Sequence, residues 1–307
     1  MQANFNPEED ADEIRKALTK PKDMNILIKI IAHRSNNQRQ EILKEYFRKY
    51  QRLLINDIKS ELSGNFKEAV IALFSLPVDF DCDQLNKAMK KLGTNEDTLI
   101  EILASRSNER INQIKEKYKE VYVKDLIKDV ESDTSGSFKK LLVKLLKTSR
   151  PNNSNPDKLE CEDCAKRLFN AVKNKKESFH DTFIYIFTEK SREEIALIGK
   201  IYYEMYSVTL IELVDTVFKG DFRKTLKYII YSLLSPSEFF AYRINKALKG
   251  LGTKDAMLIR ILVSRDEIDM YRIKRYYKQL YQKSLYDAIK DDTSGDYRTL
   301  LLELIGN

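Results

Sequence analysis

The chain has 307 residues, 42% of them hydrophobic and 33% charged, with only nine glycines and six prolines. That composition favours long helices and excludes a β-sandwich with many Gly/Pro turns. No stretch approaches 18 uncharged apolar residues and the acidic N-terminus has no apolar leader. These features exclude a membrane-spanning helix and, with three cysteines, predict a reducing cytoplasmic setting. The net charge of +7 favours anionic partners, either nucleic acid or an acidic lipid surface.

A pattern of residue types recurs four times along the chain. An arginine is followed 30, 30, 28 and 30 residues later by a glycine, and a tyrosine, a leucine and an aromatic residue keep fixed distances from that glycine. The arginine–glycine pairs are Arg34–Gly64, Arg106–Gly136, Arg192–Gly220 and Arg265–Gly295. This periodicity predicts an all-α array of four repeats, each of about 70–75 residues and five short helices, packed against its neighbours.

The predicted order along the chain begins with a short N-terminal arm and contains one linker. The segments are the arm over 1–10, repeat 1 over 11–76, repeat 2 over 77–146, the linker over 147–157, repeat 3 over 158–235 and repeat 4 over 236–307. The linker (KTSRPNNSNPD) is polar and contains two prolines and three asparagines. We therefore expect the array to divide into two pairs, repeats 1 and 2 and repeats 3 and 4.

Repeat 4 shows the internal plan of a repeat most clearly. Ser237 is placed to cap its first helix, Gly250 and Gly252 end that helix, and Thr253 is placed to cap the second. Three further helical stretches are predicted over 267–280, 284–290 and 296–305.

Two glycine-containing loops and two aspartates form the candidate site. The loops are 249–253 (KGLGT) and 90–94 (KKLGT), and forty residues after the last glycine of each stands an aspartate, Asp292 or Asp133. Backbone carbonyls at the end of a helix lack helical partners. If the fold brings each aspartate beside its loop, carbonyls and one carboxylate face a common point. Such an oxygen-only shell suits Ca²⁺. A single copy would be interpreted as the glycine that ends one helix followed by the cap of the next. Two copies with the same spacing favour a calcium site.

These loops and aspartates belong to a wider pattern, in which the chain resembles the annexins over nearly its whole length. The matching segments are 249–253 (KGLGT), 289–297 (IKDDTSGDY), 92–95 (LGTN), 133–136 (DTSG), 35–40 (SNNQRQ) and 263–269 (VSRDEID). The resemblance implies four five-helix repeats in a slightly curved disc. It also implies peripheral, calcium-dependent binding to acidic phospholipid, reversibly at the inner face of membranes.

The resemblance assigns the calcium ligands residue by residue. In repeat 4 they are Leu248, Gly250, Gly252 and Asp292, and in repeat 2 they are Met89, Lys91, Gly93 and Asp133. Lys91 stands where repeat 4 has a glycine, so we expect a weaker or reshaped site in repeat 2. The loop of repeat 1 is one residue short and has no glycine, although Glu61 keeps the acid position as a possible weak site. In repeat 3 Val217 occupies the acid position, and we expect no site there.

Five charged residues match those that line the central channel between the two halves of annexins. They are Asp81, Glu101, Arg106, Arg260 and Asp269. Because buried charges in apolar helices usually pair with one another, we interpret them as ion pairs that pin the two halves together, with ion conduction as the alternative.

The remaining patterns do not indicate an enzyme. Nucleotide-binding, zinc-protease, hydrolase and EF-hand signatures are missing from the sequence. Cys161 and Cys164 have the spacing of half a zinc site, but without a second pair they are predicted to be small buried residues of one helix. The main hypothesis is thus a calcium-dependent membrane binder. The alternatives are a helical scaffold for cytoskeletal or other proteins and, ranked last, a nucleic-acid-binding protein.

Overall fold

The computed structural model describes residues 5–19, 21–90, 93–152, 155–174, 179–250 and 252–306. Over these residues the chain forms twenty α-helices and no strand. The predicted all-α class and the predicted five helices per repeat are both confirmed.

The helices follow one another in four groups of five. Repeat 1 contains α1 (Pro7–Leu18), α2 (Met24–His33), α3 (Asn36–Tyr50), α4 (Leu54–Glu61) and α5 (Gly64–Phe74). Repeat 2 contains α6 (Pro77–Lys90), α7 (Glu96–Ser105), α8 (Asn108–Tyr122), α9 (Leu126–Asp133) and α10 (Gly136–Lys147). Repeat 3 contains α11 (Lys158–Asn174), α12 (Phe179–Glu189), α13 (Arg192–Tyr206), α14 (Leu210–Val217) and α15 (Gly220–Leu234). Repeat 4 contains α16 (Pro236–Leu248), α17 (Asp255–Arg265), α18 (Met270–Tyr281), α19 (Leu285–Asp292) and α20 (Gly295–Ile305).

The recurring glycine is explained by the backbone at the start of each fifth helix. Gly64, Gly136, Gly220 and Gly295 are the first residues of α5, α10, α15 and α20, with φ between +58° and +62°. A side chain in this left-handed region costs about 1–2 kcal/mol. The sharp corner between the fourth and fifth helices therefore requires glycine, and this corner places the end of the fourth helix beside the first interhelical loop.

The structure corrects the predicted arginine of repeat 3. A serine caps the third helix in repeats 1 to 3, at Ser35, Ser107 and Ser191. The residue before this cap is arginine in repeats 1 and 2 but Lys190 in repeat 3, and Arg192 is instead the first residue of α13. The basic residue before the third helix is therefore 30 residues from the glycine in every repeat. In repeat 3 this basic residue is Lys190, whereas Arg192, which is 28 residues from Gly220, is not its equivalent.

The first compact unit joins repeats 1 and 4, over residues 1–80 and 240–307. Within it α2 packs against α20 and α5 packs against α17. Polar contacts join the same repeats: the backbone N–H of Asn36 donates to Glu267 at 2.6 Å, and the buried guanidinium of Arg39 lies 3.6 Å from Asp266. Burial raises the pKa of Asp266 to about 6, against the opposing effect of Arg39.

The second compact unit joins repeats 2 and 3, over residues 81–239. Within it α7 packs against α15, and α10 packs against both α12 and α15. Lys224 lies 3.0 Å from the carboxylate of Asp97, and the hydroxyl of Ser232 donates to the carbonyl of Ala104 at 2.6 Å.

The predicted pairing of repeats is therefore wrong, because repeat 1 packs with repeat 4 and repeat 2 packs with repeat 3. The linker does not separate its neighbours. Arg150 within it donates to the carbonyl oxygens of Phe187 and Lys190, and its own carbonyl accepts from Asn108 at 2.6 Å. The polar, proline-containing composition of this segment predicted a boundary, but its hydrogen bonds connect repeats 2 and 3.

Three helix ends also differ from the prediction. Helix α16 begins at Pro236, whose fixed φ suits a first helical position, so Ser237 lies inside the helix and is buried. The N-cap of α17 is Lys254 rather than Thr253. Helix α18 begins at Met270 instead of residue 267, because residues 266–269 form a turn.

The described helices contain none that is long and apolar enough to cross a bilayer. Cys161 and Cys164 lie in the core of repeat 3 on α11, as predicted. Burial raises the pKa of the Cys161 thiol to about 11, so this thiol stays protonated at neutral pH.

Candidate functional site

The loop of repeat 4 follows the end of α16 at Leu248. Gly250 has φ +134° and Gly252 has φ +81°, conformations that residues with a side chain rarely adopt. Outside the helices, no backbone N–H of the described residues donates to the carbonyl of Leu248, Gly250 or Gly252. Within the described part of the chain, the lone pairs of these three carbonyl oxygens are thus not used by hydrogen bonds from the loop backbone.

Asp292 is held beside this loop by Thr253. The Thr253 hydroxyl lies 2.9 Å from the carbonyl oxygen of Asp292 and 2.5 Å from its Oδ2. Asp292 is the last residue of α19 and is partly exposed. Thr253 therefore does not cap α17 as the sequence predicted, and its hydroxyl instead connects the loop to Asp292.

Repeat 2 has the same contact between a threonine and an aspartate. The Thr94 hydroxyl lies 3.2 Å from both the carbonyl oxygen and Oδ2 of Asp133, the last residue of α9. Gly93 has φ +88°, and Met89 lies one residue before the end of α6. Lys91, the predicted ligand between them, lies outside the described residues.

The donor set is carbonyl-rich and carries one carboxylate per loop. The described part of the chain has no group of three or more His, Cys, Asp or Glu side chains that could hold a metal. Neither Asp133 nor Asp292 has a cationic side chain within ion-pair distance among these residues. Hard oxygen ligands with little negative charge fit Ca²⁺ and leave part of its coordination sphere for other ligands.

Repeat 1 places a cation where repeats 2 and 4 have a hydroxyl. The ammonium of Lys22 lies 2.8 Å from the carbonyl oxygen of Glu61 and 2.9 Å from its Oε2. Glu61 is the last residue of α4, the position that Asp133 and Asp292 hold in their repeats. The predicted weak site therefore has its carboxylate already engaged.

Repeat 3 has aromatic packing in place of an acid. Val217 is the last residue of α14 and packs partly buried against the core. Next to it the ring of Phe218 stacks on Phe179, with centroids 5.5 Å apart, and His180 lies 5.2 Å from Phe218. The loop residues 175–178 lie outside the described part. No carboxylate stands at the acid position.

Three members of the predicted charged cluster, Asp81, Arg106 and Asp269, form ion pairs within their own units. In the second unit Arg106 makes two hydrogen bonds to Asp81, at 2.8 and 2.9 Å, with both side chains buried, and Glu101 is fully buried on α7. In the first unit Arg260 is buried on α17. Asp269 pairs with Arg265 at 2.7 Å.

The Arg106–Asp81 pair belongs to a contact that recurs in every repeat. The cation at the end of the second helix docks on a residue near the start of the first. The pairs are Arg34–Asp10, Arg106–Asp81, Lys190–Glu160 and Arg265–Phe240, the last a cation–π contact with the guanidinium carbon 4.5 Å from the ring centroid. Sequence reasoning missed this contact, although the common cation-to-glycine spacing of 30 was a signal for it.

The chain is similar to annexins in sequence and in fold. A family model described as Annexin matches residues 9–73, 80–145, 163–229 and 239–304. Annexin A11 from Homo sapiens is 40% identical over 303 residues, which are 98% of this chain and 60% of that protein. The chain thus spans less than two thirds of the length of this relative.

Two solved structures extend the similarity to the fold. The structure titled annexin III has a TM-score of 0.95 and 38% identity, covering 99% of this chain and 95% of that one. The structure titled calcium-bound annexin (Sm)1 has a TM-score of 0.88 and 30% identity, covering 99% of this chain and 91% of that one.

Proposed function

Because the chain belongs to the annexin family, we propose that it binds acidic phospholipid membranes peripherally and in a calcium-dependent way. The observation that carries the proposal is the pair of matching loops in repeats 2 and 4. In each, a threonine hydroxyl lies within hydrogen-bond distance of the carbonyl and carboxylate oxygens of an aspartate, and the loop contains a glycine with positive φ.

The residues that would hold calcium are those of the two loops. In repeat 4 they are the carbonyls of Leu248, Gly250 and Gly252 with the carboxylate of Asp292. In repeat 2 they are the carbonyls of Met89, Lys91 and Gly93 with the carboxylate of Asp133. The bound ion supplies positive charge and open coordination positions, which a lipid phosphate or carboxylate fills.

The incomplete protein shell accounts for the expected dependence on lipid. One carboxylate and a few neutral carbonyls hold a divalent cation weakly, since Ca²⁺ takes about six to eight oxygen ligands. Calcium and lipid therefore raise each other's affinity by the same factor. Exposed lysines near the loops, such as Lys90 and Lys249, add attraction of about 1 kcal/mol each to an anionic surface. We therefore propose that the protein binds reversibly at the inner face of membranes, whose lipids are anionic.

Sedimentation with vesicles tests the proposal. The protein is mixed with phosphatidylserine or phosphatidylcholine vesicles across a calcium titration and then treated with chelator. We expect it to pellet only with phosphatidylserine, only in calcium, and to be released by chelator. Equal pelleting with both lipids, or pelleting that ignores the chelator, contradicts the proposal and favours a protein-binding scaffold.

A further inference from the structure

The loops of repeats 1, 2 and 4 close with the same backbone hydrogen bond, which identifies their equivalent residues. In each, an N–H after the loop donates to a carbonyl near the end of the first helix. The pairs are Asp23–Ala17 at 3.1 Å, Asn95–Ala88 at 2.9 Å and Lys254–Ala247 at 2.8 Å. The residue before each donor is therefore equivalent: Lys22 in repeat 1, Thr94 in repeat 2 and Thr253 in repeat 4.

These three residues contact the same atoms of the acid-position residue. Thr94 and Thr253 reach the carbonyl oxygen and one carboxylate oxygen of their aspartates. Lys22 reaches the carbonyl oxygen and one carboxylate oxygen of Glu61. The two kinds of contact differ in charge, because a hydroxyl leaves the carboxylate negative whereas an ammonium neutralises it.

Resting on the proposed function, we propose that Lys22 is a resident cation of repeat 1, held against the acid-position residue from the loop position that is threonine in repeats 2 and 4. An ammonium about 3 Å from the carboxylate repels a divalent cation. It also occupies oxygen atoms of Glu61 that the divalent cation would need as ligands. The Glu61 carboxylate of repeat 1 is therefore neutralised by Lys22 at all calcium concentrations. The response to calcium is left to repeats 2 and 4.

The test removes the lysine in a chain whose other two sites are disabled. In an Asp133→Ala/Asp292→Ala parent, the melting temperature is measured with and without millimolar CaCl₂. We expect no calcium-induced shift in the parent. Adding Lys22→Thr, which restores the hydroxyl of the other loops, should produce an upward shift of about 2–4 °C.

Two further variants tie the shift to the acid. Adding Glu61→Gln to the Lys22→Thr chain should abolish the new shift, because the freed carboxylate is its source. Lys44→Thr breaks an exposed lysine–glutamate pair elsewhere on repeat 1 and should leave the parent unresponsive.

A parent that already responds to calcium, or a Lys22→Thr variant that does not, overturns the role of Lys22. In the second case the short loop itself excludes the ion. The wild-type chain is the separate reference for the proposed function: if it does not pellet with phosphatidylserine vesicles in calcium, that function fails. The comparison between Lys22→Thr and its parent still decides the role of Lys22.

Discussion

At the residue scale, the three acid-position residues differ in what already binds them. The carboxylates of Asp133 and Asp292 accept a hydrogen bond from a threonine hydroxyl, whereas the carboxylate of Glu61 contacts an ammonium. The sequence alone could rank Glu61 last because its loop lacks glycine. It could not show that Lys22 reaches Glu61, because the two residues are 39 apart and a flexible lysine has many possible partners.

We expect Asp292→Ala to raise the calcium concentration needed for vesicle binding by about tenfold or more, since it removes a charged ligand. Asp133→Ala should have a smaller effect, and Glu61→Ala little. Sedimentation with phosphatidylserine vesicles across a calcium titration measures all three. Asp291→Ala is the matched control, because Asp291 is exposed and pairs with Lys283 instead. A larger effect of Glu61→Ala than of Asp292→Ala would show that the ranking is wrong.

We expect Arg106→Ala to lower the free energy of unfolding by about 3–5 kcal/mol, because it leaves the Asp81 carboxylate buried without its partner. The folded variant should still bind vesicles in calcium. Denaturant unfolding measures the loss, and Lys44→Ala, which breaks an exposed pair, should change little. An unchanged stability for Arg106→Ala would contradict the structural role of this pair.

At the element scale, the sequence predicted which helices exist better than where they begin. Apolar spacing identified five helices per repeat, and the tyrosines that end the third helices are placed as their recurrence suggested. Ser237 and Thr253 were read as caps because side chain and position suited that role. Local sequence could not show that Pro236 starts its helix or that Thr253 turns to an aspartate 39 residues away.

In every repeat the third helix is followed by a residue in the left-handed conformation that is not glycine. These residues are Gln51, Val123, Ser207 and Gln282, with φ from 52° to 56°. Val123 is the most strained of these because it is β-branched. We expect Val123→Asn to stabilise the protein by about 1 kcal/mol, since asparagine tolerates this conformation. Denaturant unfolding measures the gain.

Val121→Asn is the control for this prediction. Val121 is exposed two residues earlier, inside α8, where valine and asparagine have similar helix propensities. It should give no gain. Because Val123 is 87% exposed, a loss of stability in Val123→Asn would contradict the backbone strain assigned to this valine.

The aromatic cluster of repeat 3 predicts a pH dependence. Burial lowers the pKa of His180 from its usual 6.5, against the raising effect of Asp181 and with a smaller lowering effect of Lys140. The folded protein therefore binds the proton less readily than the unfolded chain, so stability falls as the pH drops through about 6.5. We expect the wild type to lose stability relative to His180→Phe between about pH 7 and pH 5. A parallel pH dependence of the two proteins would contradict this.

At the scale of the whole molecule, four repeats and a full-length family match could be anticipated from one sequence, but their pairing could not. Repeats 1 and 4 are farthest apart in the chain, and the pairs that join them are over 200 residues apart, such as Asn36 and Glu267. Contacts of this range leave no local pattern. The polar linker gave a local signal that pointed to the wrong division, because its polar groups serve as a bridge between repeats 2 and 3.

We propose that a lipid oxygen completes a calcium coordination shell to which the loop carbonyls and one aspartate contribute. The most direct measurement is the calcium affinity of the Asp133→Ala protein, in which repeat 4 keeps its acid, with and without phosphatidylserine vesicles. We predict an affinity about tenfold or more higher with the vesicles, no change with phosphatidylcholine, and an equal rise in vesicle affinity on adding calcium. A calcium affinity that is the same with and without phosphatidylserine would contradict the shared shell.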